Sequence, residues 1–333
     1  MKEIITLDYG SGGKKTSSLI ENMILPVLGN EALSVLGDGA IVPGNDKLVF
    51  STDSFVVNPL KFPGGDIGKL SVCGTVNDIA MAGGLPKFLS LSFIIEEGLE
   101  VDLLKEIIES INLAASKAGV SIVTGDTKVV EKGKGDGIYI NTAGIGFLSH
   151  KNLSPKNISE GDAVIISGYV GDHGTAIMLA RDPSFGESDI KSDCAPLNEM
   201  ASSLYDLGDD LKVLRDPTRG GVATTLNEFV EGTDYCIELN EKDIPIRPSV
   251  MSSCDMLGLD PMYCANEGKM LVVSSPDKAE EVIRRLKNSE YGRDAAIIGT
   301  VTKNHPGRVT MKTELGGSRI LTKLAGAQLP RIC

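Results

Sequence analysis

Tryptophan is absent, aromatic residues make up 5% of the chain, and only three histidines occur in 333 residues. Six cysteines are scattered at positions 73, 194, 236, 254, 264 and 333, and none forms a CxxC pair. A zinc site of the usual thiolate and imidazole spacing is therefore not expected. No uninterrupted apolar run approaches the ~18 residues of a membrane span, which excludes an integral membrane helix. Cations are outnumbered, 33 against 45, for a formal charge of −12. That balance lacks the basic footprint of a nucleic-acid binder. Met1 is followed by Lys2 and Glu3 rather than an apolar stretch. No secretory signal is read, so a cytoplasmic setting with reduced thiols is expected.

What is abundant is glycine, 38 residues, many beside acidic or hydroxyl side chains. Such loops are suited to holding a ligand. The length predicts about two domains. Segment 47–53 reads as a buried strand ending in an acidic turn, and residues 66–82 carry helical spacing through Ile67, Leu70, Cys73, Val76, Ile79 and Ala80. Residues 100–118 form the clearest amphipathic helix, closed by Gly119. Strands are predicted at 88–95, 120–125 and 137–148. The polar, turn-rich stretch 149–161 divides a domain over 1–150 from a second over 151–315. In that second domain, strands are expected at 163–168, 212–216, 235–239, 269–275 and 295–302, and helices at 172–181, 197–206, 219–231, 248–257 and 277–288. The irregular mixture favours two α+β sandwiches over a doubly wound sheet. From Gly316 onward Arg319, Lys323 and Arg331 appear without an acidic side chain, and 316–333 reads as a mobile tail ending on Cys333.

Four aspartates share a local context: Asp38 in LGDGA, Asp53 in FSTDS, Asp78 in TVNDIAMAGG and Asp126 in TGDTK. One Asp beside Gly is ordinary turn chemistry. Four carboxylates converging would repel unless cations lay between them, and hard divalent ions take oxygen ligands shared with phosphates. Near the N-terminus GSGGKKT, Gly10 to Thr16, departs from the Walker spacing. Its consecutive glycines still suit a backbone-amide lid over phosphates.

These motifs, in this order, resemble the ATP-binding half of the superfamily that contains aminoimidazole ribonucleotide synthetase (PurM-like), selenophosphate synthetase and thiamine monophosphate kinase. GDHG (171–174), DPTRGG (216–221), NEGKM (266–270) and the ending PRIC (330–333) narrow the resemblance to the HypE family of hydrogenase maturation proteins. The resemblance implies two mixed α/β sandwich domains, with the N-terminal halves of two subunits pairing into a barrel-like homodimer. It implies ATP held with Mg2+ by Asp38, Asp53, Asp78 and Asp126, under a lid of Gly10, Ser11, Gly12, Gly13 and Lys14, with Asn77, Arg219 and Asn266 also at the nucleotide or carboxamide. It implies a carbamoyl group placed on Cys333 by a HypF-type carbamoyltransferase. ATP-dependent dehydration to a thiocyanate follows, and the cyano group then passes to iron on a HypC–HypD complex.

The residues are compatible with that chemistry. A cysteine at the extreme terminus offers reach rather than packing, and residues 316–333 fully extended span about 60 Å at ~3.3 Å each. Expelling oxygen from a carboxamide requires its phosphorylation, which needs positioning and charge neutralisation. Two protons must also leave nitrogen, so a base must lie close. By motif match, the resemblance implies Glu267 and Lys128 as the candidates, with Lys128 alternatively a fixed cation on phosphate. Asp216 reads as the cap of the helix predicted at 219–231. Another phosphotransferase of the superfamily, or a non-catalytic nucleotide-binding scaffold, is the alternative. The N-terminal LDYGSGGKKT holds no Cys for selenophosphate chemistry.

Overall fold

The computed structural model describes residues 3–10, 14–36, 39–185 and 188–324. Ser11, Gly12, Gly13, Asp38 and Cys333 lie outside the described residues, and of Lys14 only the backbone is described. A helical run opens the chain: α1 (Lys14–Leu19), a π turn (Ile20–Ile24) and α2 (Leu25–Leu28). Of the segment expected as a lid, Lys14, Lys15 and Thr16 open α1, and Leu19 and Leu28 further along are buried in the core.

The first sheet contains β1 (Leu48–Phe55), β4 (Gly84–Glu96), β5 (Ser121–Val130) and β6 (Ile138–Leu148), in the order β1-β6-β4-β5. A small hairpin, β2 (Lys61–Phe62) with β3 (Gly65–Asp66), leads into helix α3 (Ile67–Met81). Asp66 caps α3 by accepting the Lys69 N–H at 2.9 Å. Helix α4 (Val101–Ala118) buries the stripe Leu104, Ile107, Ile108, Ile111 and Ala115, and it ends where Gly119 adopts φ 68°. Helices α3 and α4 pack together on one face of the sheet. Gly68 permits their approach, since a Cβ there would lie 2.5 Å from the Ile107 carbonyl oxygen.

The opposite face is uncovered. Leu48, Phe50 and Ile94 are 49%, 67% and 45% exposed on it, and the register sets Phe50 against Ile145 and Leu48 against Phe147. A sheet carrying apolar residues on both faces is built to be covered on both.

The second sheet holds β7 (Ala163–Ile166), β8 (Leu211–Arg215), β9 (Cys236–Asn240), β10 (Leu271–Ser274), β11 (Ala296–Thr302), β12 (Val309–Lys312) and β13 (Ser318–Leu321). Its order is β13-β12-β9-β11-β7-β10-β8, antiparallel except for the β12–β9 pair. Around it lie α5 (Asp172–Arg181), α6 (Asn198–Ser202), α7 (Gly221–Val230), α8 (Pro248–Leu257) and α9 (Ala279–Lys287). One core underlies α7. Another joins α6 and α9 to Ala80 and Met81 of α3, so α3 is wedged between the two sheets. Every α3 residue except Lys69 and Asp78 is buried.

Three expectations change. The helix read over 197–206 is only α6, followed by a separate 3-10 turn over Tyr205–Asp210. The helix read from 219 begins at Gly221, since Gly220 and Gly221 both have positive φ. The tail does not start at 316. Ser318–Leu321 is an edge strand on β12, Arg319 pairs with Asp260 at 2.8 Å, and Lys323 pairs with Glu231. Two four-residue strands between glycines carry too little pattern to be read in advance. Among the described residues no helix is long and apolar enough to cross a membrane.

Candidate active site: a pocket of buried carboxyls

Between the two sheets, under the wedge helix, lies a cavity of about 300 Å³. Thr52, Asp53 and Ser54 of β1, Gly74 and Asp78 of α3, Arg215 at the end of β8, the 216–219 turn and Glu267 line it. Gly74 is required by the packing, because a Cβ there would meet the Phe55 ring at 2.8 Å.

Glu267 is one of the two base candidates. It is 3% exposed. Among the described residues its Oε1 has no hydrogen-bond partner. Burial first, then the neighbouring Asp216 carboxylate, push its carboxyl well above the usual range. Asp216 is also buried, and burial together with Asp78 raises it to about 7. Asp78 is raised by burial even though the Ser51 hydroxyl donates to its Oδ2 at 2.7 Å. Three acids with elevated proton affinity therefore face one cavity, beside Arg215 and Arg219. A buried carboxyl oxygen left unsatisfied marks a place for an absent partner.

The loop carrying Glu267 is held rigidly. Its N–H donates to Asp193 Oδ1 at 3.0 Å, and its carbonyl accepts from the Ala195 N–H at 3.3 Å. Gly268 is packed so closely that a Cβ would fall 1.7 Å from the Asp193 carbonyl oxygen. Lys269 Nζ lies 3.5 Å from Asp193 Oδ2. The motifs of the second half interlock around this loop. Gly171 of GDHG donates its N–H to Asn266 Oδ1 at 2.8 Å, and Asn266 Nδ2 donates to the carbonyls of Pro217 and Cys264 at 3.2 and 3.0 Å.

Several expected ligands have other work. Asn266 donates both of its amide N–H bonds to backbone carbonyls and accepts the Gly171 N–H. Asn77 likewise donates to the Ala195 and Glu267 carbonyls at 3.1 and 3.3 Å and accepts the Leu197 N–H at 2.7 Å. It clamps α3 to the second domain. Asp216 caps nothing, because the N-cap of α7 is Gly220. Gly10 packs on β5, where a Cβ would lie 2.5 Å from Val129 N. Arg219 does line the pocket.

Within one chain Asp53 and Asp78 share the pocket but Asp126 does not join them, and Asp38 lies outside the described residues. Asp53 opposes Thr142 on β6, Thr142 opposes Leu91 on β4, and Leu91 opposes Gly125 on β5. Asp126 is one residue further along, so the pleat turns it to the other side of the sheet. Asp126 and Lys128 stand on the uncovered face of β5, where Lys128 Nζ lies 2.7 Å from both Asp126 oxygens. That contact holds the Asp126 carboxyl below its usual range. Among the described residues no three acidic, His or Cys groups close around a metal ion. Asp53 and Asp78 supply hard oxygen donors in the pocket, a set that fits Mg2+ completed by phosphate and water.

Sequence reasoning missed Ser51, Asp193 and Thr218. Asp193 reaches the Glu267 N–H and Ser51 reaches Asp78 from distant positions in the chain, while Thr218, inside DPTRGG, lines the pocket.

This architecture belongs to a known class. Residues 36–148 match the AIR synthase related protein, N-terminal domain, and residues 159–312 match the AIR synthase related protein, C-terminal domain. The carbamoyl dehydratase HypE of Azotobacter vinelandii is 44% identical over 333 residues, covering 99% of this chain and 97% of that protein. A crystal structure of hydrogenase maturation protein HypE in complex with ATP superposes with a TM-score of 0.94 at 45% identity, covering 98% of this chain and 99% of that one. A crystal structure of a HypE–HypF complex matches with a TM-score of 0.80 at 49% identity, over 92% of this chain and 100% of that one. The chain belongs to the HypE family of carbamoyl dehydratases, which serve hydrogenase maturation.

Proposed function

We propose that this carbamoyl dehydratase uses ATP to convert S-carbamoyl-Cys333 to S-cyano-Cys333 in the carboxyl pocket of its own chain. The observation that carries this reading is the course of residues 321–324 along α7. Asn227 Nδ2 donates to the Leu321 carbonyl at 3.0 Å, and the Leu324 N–H donates to Thr224 Oγ1 at 3.4 Å. The chain is thus running along α7 towards its N-terminus, where Arg219 and Thr218 rim the pocket. Thr224 lies in the first turn of α7, which begins at Gly221, two residues after Arg219. Residues 325–333 reach at most about 30 Å at ~3.3 Å each. That length reaches the pocket with slack and also allows the thiol outside to a second enzyme.

ATP is the phosphoryl donor, as supported by the ATP complex of the relative. Mg2+, held by Asp53 and Asp78, would neutralise phosphate charge. Arg219 orients the phosphoryl group, a role suited to a planar, permanently charged guanidinium. Glu267, buried and unpaired, takes a proton from the carboxamide nitrogen. Lys128 acts as a cation on the open face rather than as the base.

A homodimer is supported by that open face, where Leu48, Phe50 and Ile94 stand exposed. A two-fold axis parallel to the strands would set the β5 edge of each copy beside the β1 edge of its partner. Asp126 and Lys128 would then approach the partner's pocket. A HypF-type carbamoyltransferase loads the thiol, in line with the HypE–HypF complex among the relatives. A HypC–HypD iron complex takes the cyano group, and the setting is cytoplasmic.

Mass spectrometry of the carbamoylated chain tests the reading. With ATP and Mg2+ the last peptide should lose one water. An unchanged carbamoyl mass with ATP bound would support a scaffold instead.

A further inference from the structure

Away from the carboxyl pocket, two buried thiols face each other: Cys254 Sγ lies 3.9 Å from Cys264 Sγ. We propose that this pair is a site of reversible oxidation, closed to a disulfide by a peroxide and reopened by a dithiol. The local chain brings the two thiols together. Helix α8 ends at Gly258, which takes φ 68°. The Asp260 side chain then accepts the Met262 N–H at 3.0 Å and starts a 3-10 turn over Pro261–Tyr263. That turn carries Cys264 back against the last turn of α8. Thr175 Oγ1 of α5 lies 3.4 Å from Cys254 Sγ, and the Cys264 S–H donates to the Asp260 carbonyl at 3.7 Å. The Cys264 thiol pulls the Cys254 thiol below its usual range against the effect of burial, and the Thr175 hydroxyl adds to that pull. A thiol so placed is the better nucleophile of the two.

The surroundings allow closure. Both cysteines belong to a small apolar cluster with Ala176, Leu179, Ile190 and Val250, apart from the larger cores. Helix α8 buries only Val250 and Cys254. An element held by so few buried contacts opens at low cost. Opening admits the oxidant and lets the sulfurs approach from 3.9 Å to the ~2.05 Å of a disulfide. Cys264 is the fixed partner. A Cβ at Gly174 would lie 3.0 Å from Cys264 Cβ, and one at Gly221 would lie 2.7 Å from the Cys264 carbonyl oxygen. Closure therefore draws α8 onto the segment that leads into Asn266. Cys73 and Cys194, by contrast, are enclosed in the large core of the first domain.

In the first step the Cys254 thiolate attacks one oxygen of hydrogen peroxide and the oxygen–oxygen bond breaks. The departing hydroxide takes up the proton that Cys254 lost and leaves as water, and Cys254 becomes a sulfenic acid. In the second step Cys264 Sγ attacks that sulfur and the sulfur–oxygen bond breaks. The hydroxide leaves as a second water with the Cys264 proton. Two thiols and one peroxide give one disulfide and two waters; the sulfurs lose two electrons and the peroxide gains them. A dithiol reverses the change by two thiol–disulfide exchanges and is itself oxidised to a disulfide.

Alkylation followed by peptide mass spectrometry tests the pair on the folded full-length chain. Trypsin leaves both cysteines in one peptide, 243–269, because Pro248 follows Arg247. After treatment with about one equivalent of hydrogen peroxide, that peptide should take up no alkyl group and weigh two hydrogens less than its reduced form. Dithiothreitol should restore two alkylatable thiols. The same result is expected in Cys333→Ser, which cannot exchange its terminal thiol into the pair. Cys73 and Cys194 should lose their thiols at least tenfold more slowly. The oxidised chain should melt several degrees above the reduced one, because the link restricts the unfolded chain. Cys254→Ser and, separately, Cys264→Ser should each abolish that difference. Two alkyl groups on the peroxide-treated peptide would overturn the proposal. So would a sulfenic or sulfinic acid on one cysteine without a link, or loss of the Cys73 and Cys194 thiols at the same rate. A link that lowers the melting temperature would overturn it too, since the native fold would then not hold the pair ready to close.

Discussion

The two faces of the first sheet carry nearly the same acidic motifs and treat them in opposite ways. Against the covered face, Asp78 projects from α3, accepts from the Ser51 hydroxyl and is pushed up by burial. On the open face, Asp126 is exposed, paired with Lys128 and pulled down. Identical side chains thus acquire different proton affinities because one projects from a helix packed on the covered face and the other stands in the open on β5. The covered face is built for proton and phosphoryl chemistry. The open face is built to meet another surface.

If that division is right, substitutions on the covered face should remove activity, and those on the open face should change assembly. The largest effect is expected for Glu267→Gln. Loss of a positioned base should lower nitrile formation by roughly 10²- to 10⁴-fold while ATP binding persists. Single-turnover mass spectrometry checks it, and near-native rates would remove Glu267 from the mechanism. Next is Phe50→Arg, which places a charge at the centre of the apolar open face. Size-exclusion chromatography should show the dimer giving way to a folded monomer. A dimer of native strength would refute the interface.

Asn77→Ala leaves the Leu197 N–H and two carbonyls without their partner. It should cost about 2–4 kcal/mol, since a buried unpaired group costs ~1–3 kcal/mol. Thermal unfolding tests this, and a loss below ~1 kcal/mol would mean that the clamp between the domains is unimportant.

Asp216→Asn sharpens the electrostatic contrast. The native Asp216 carboxyl titrates near 7 when folded, against 3.8 ordinarily. Between those values the folded chain holds a proton that the unfolded chain has lost, so ionisation costs stability as pH rises through the window. Relative to the native chain, the Asn variant should gain stability from about pH 4 to about pH 7, on the order of 2–4 kcal/mol. A constant difference across that range would contradict the buried-acid account. The smallest effect belongs to Asp126→Asn. An exposed ion pair is worth under about 1 kcal/mol, so the melting temperature should barely move.

Much of this was legible beforehand. The α4 stripe, the α3 spacing, Asp53, Asp78, Arg219 and Glu267 follow from periodicity and motif, and all but the α4 stripe meet at the pocket. The internal cysteines read as small buried hydrophobes, and Cys73, Cys194, Cys236, Cys254 and Cys264 are buried. The errors lie where hydrogen bonds span more than ninety positions. Nothing near Asn77 shows that it will bind Ala195, Leu197 and Glu267, or near Asn266 that Gly171 will claim its oxygen. Asp216 looked like a cap because two glycines with positive φ delay α7, and such backbone choices leave only the glycines themselves as a trace.

The central claim is that the C-terminal thiol works in the carboxyl pocket of its own chain. Thr218→Cys places a second thiol on the pocket rim, and mild oxidation should join it to Cys333. The account predicts a disulfide within single chains, seen as a monomer of altered mobility on non-reducing gels. The link should disappear when Cys333 is replaced by Ser. Failure to form it, or its formation only between chains, would contradict delivery within one chain.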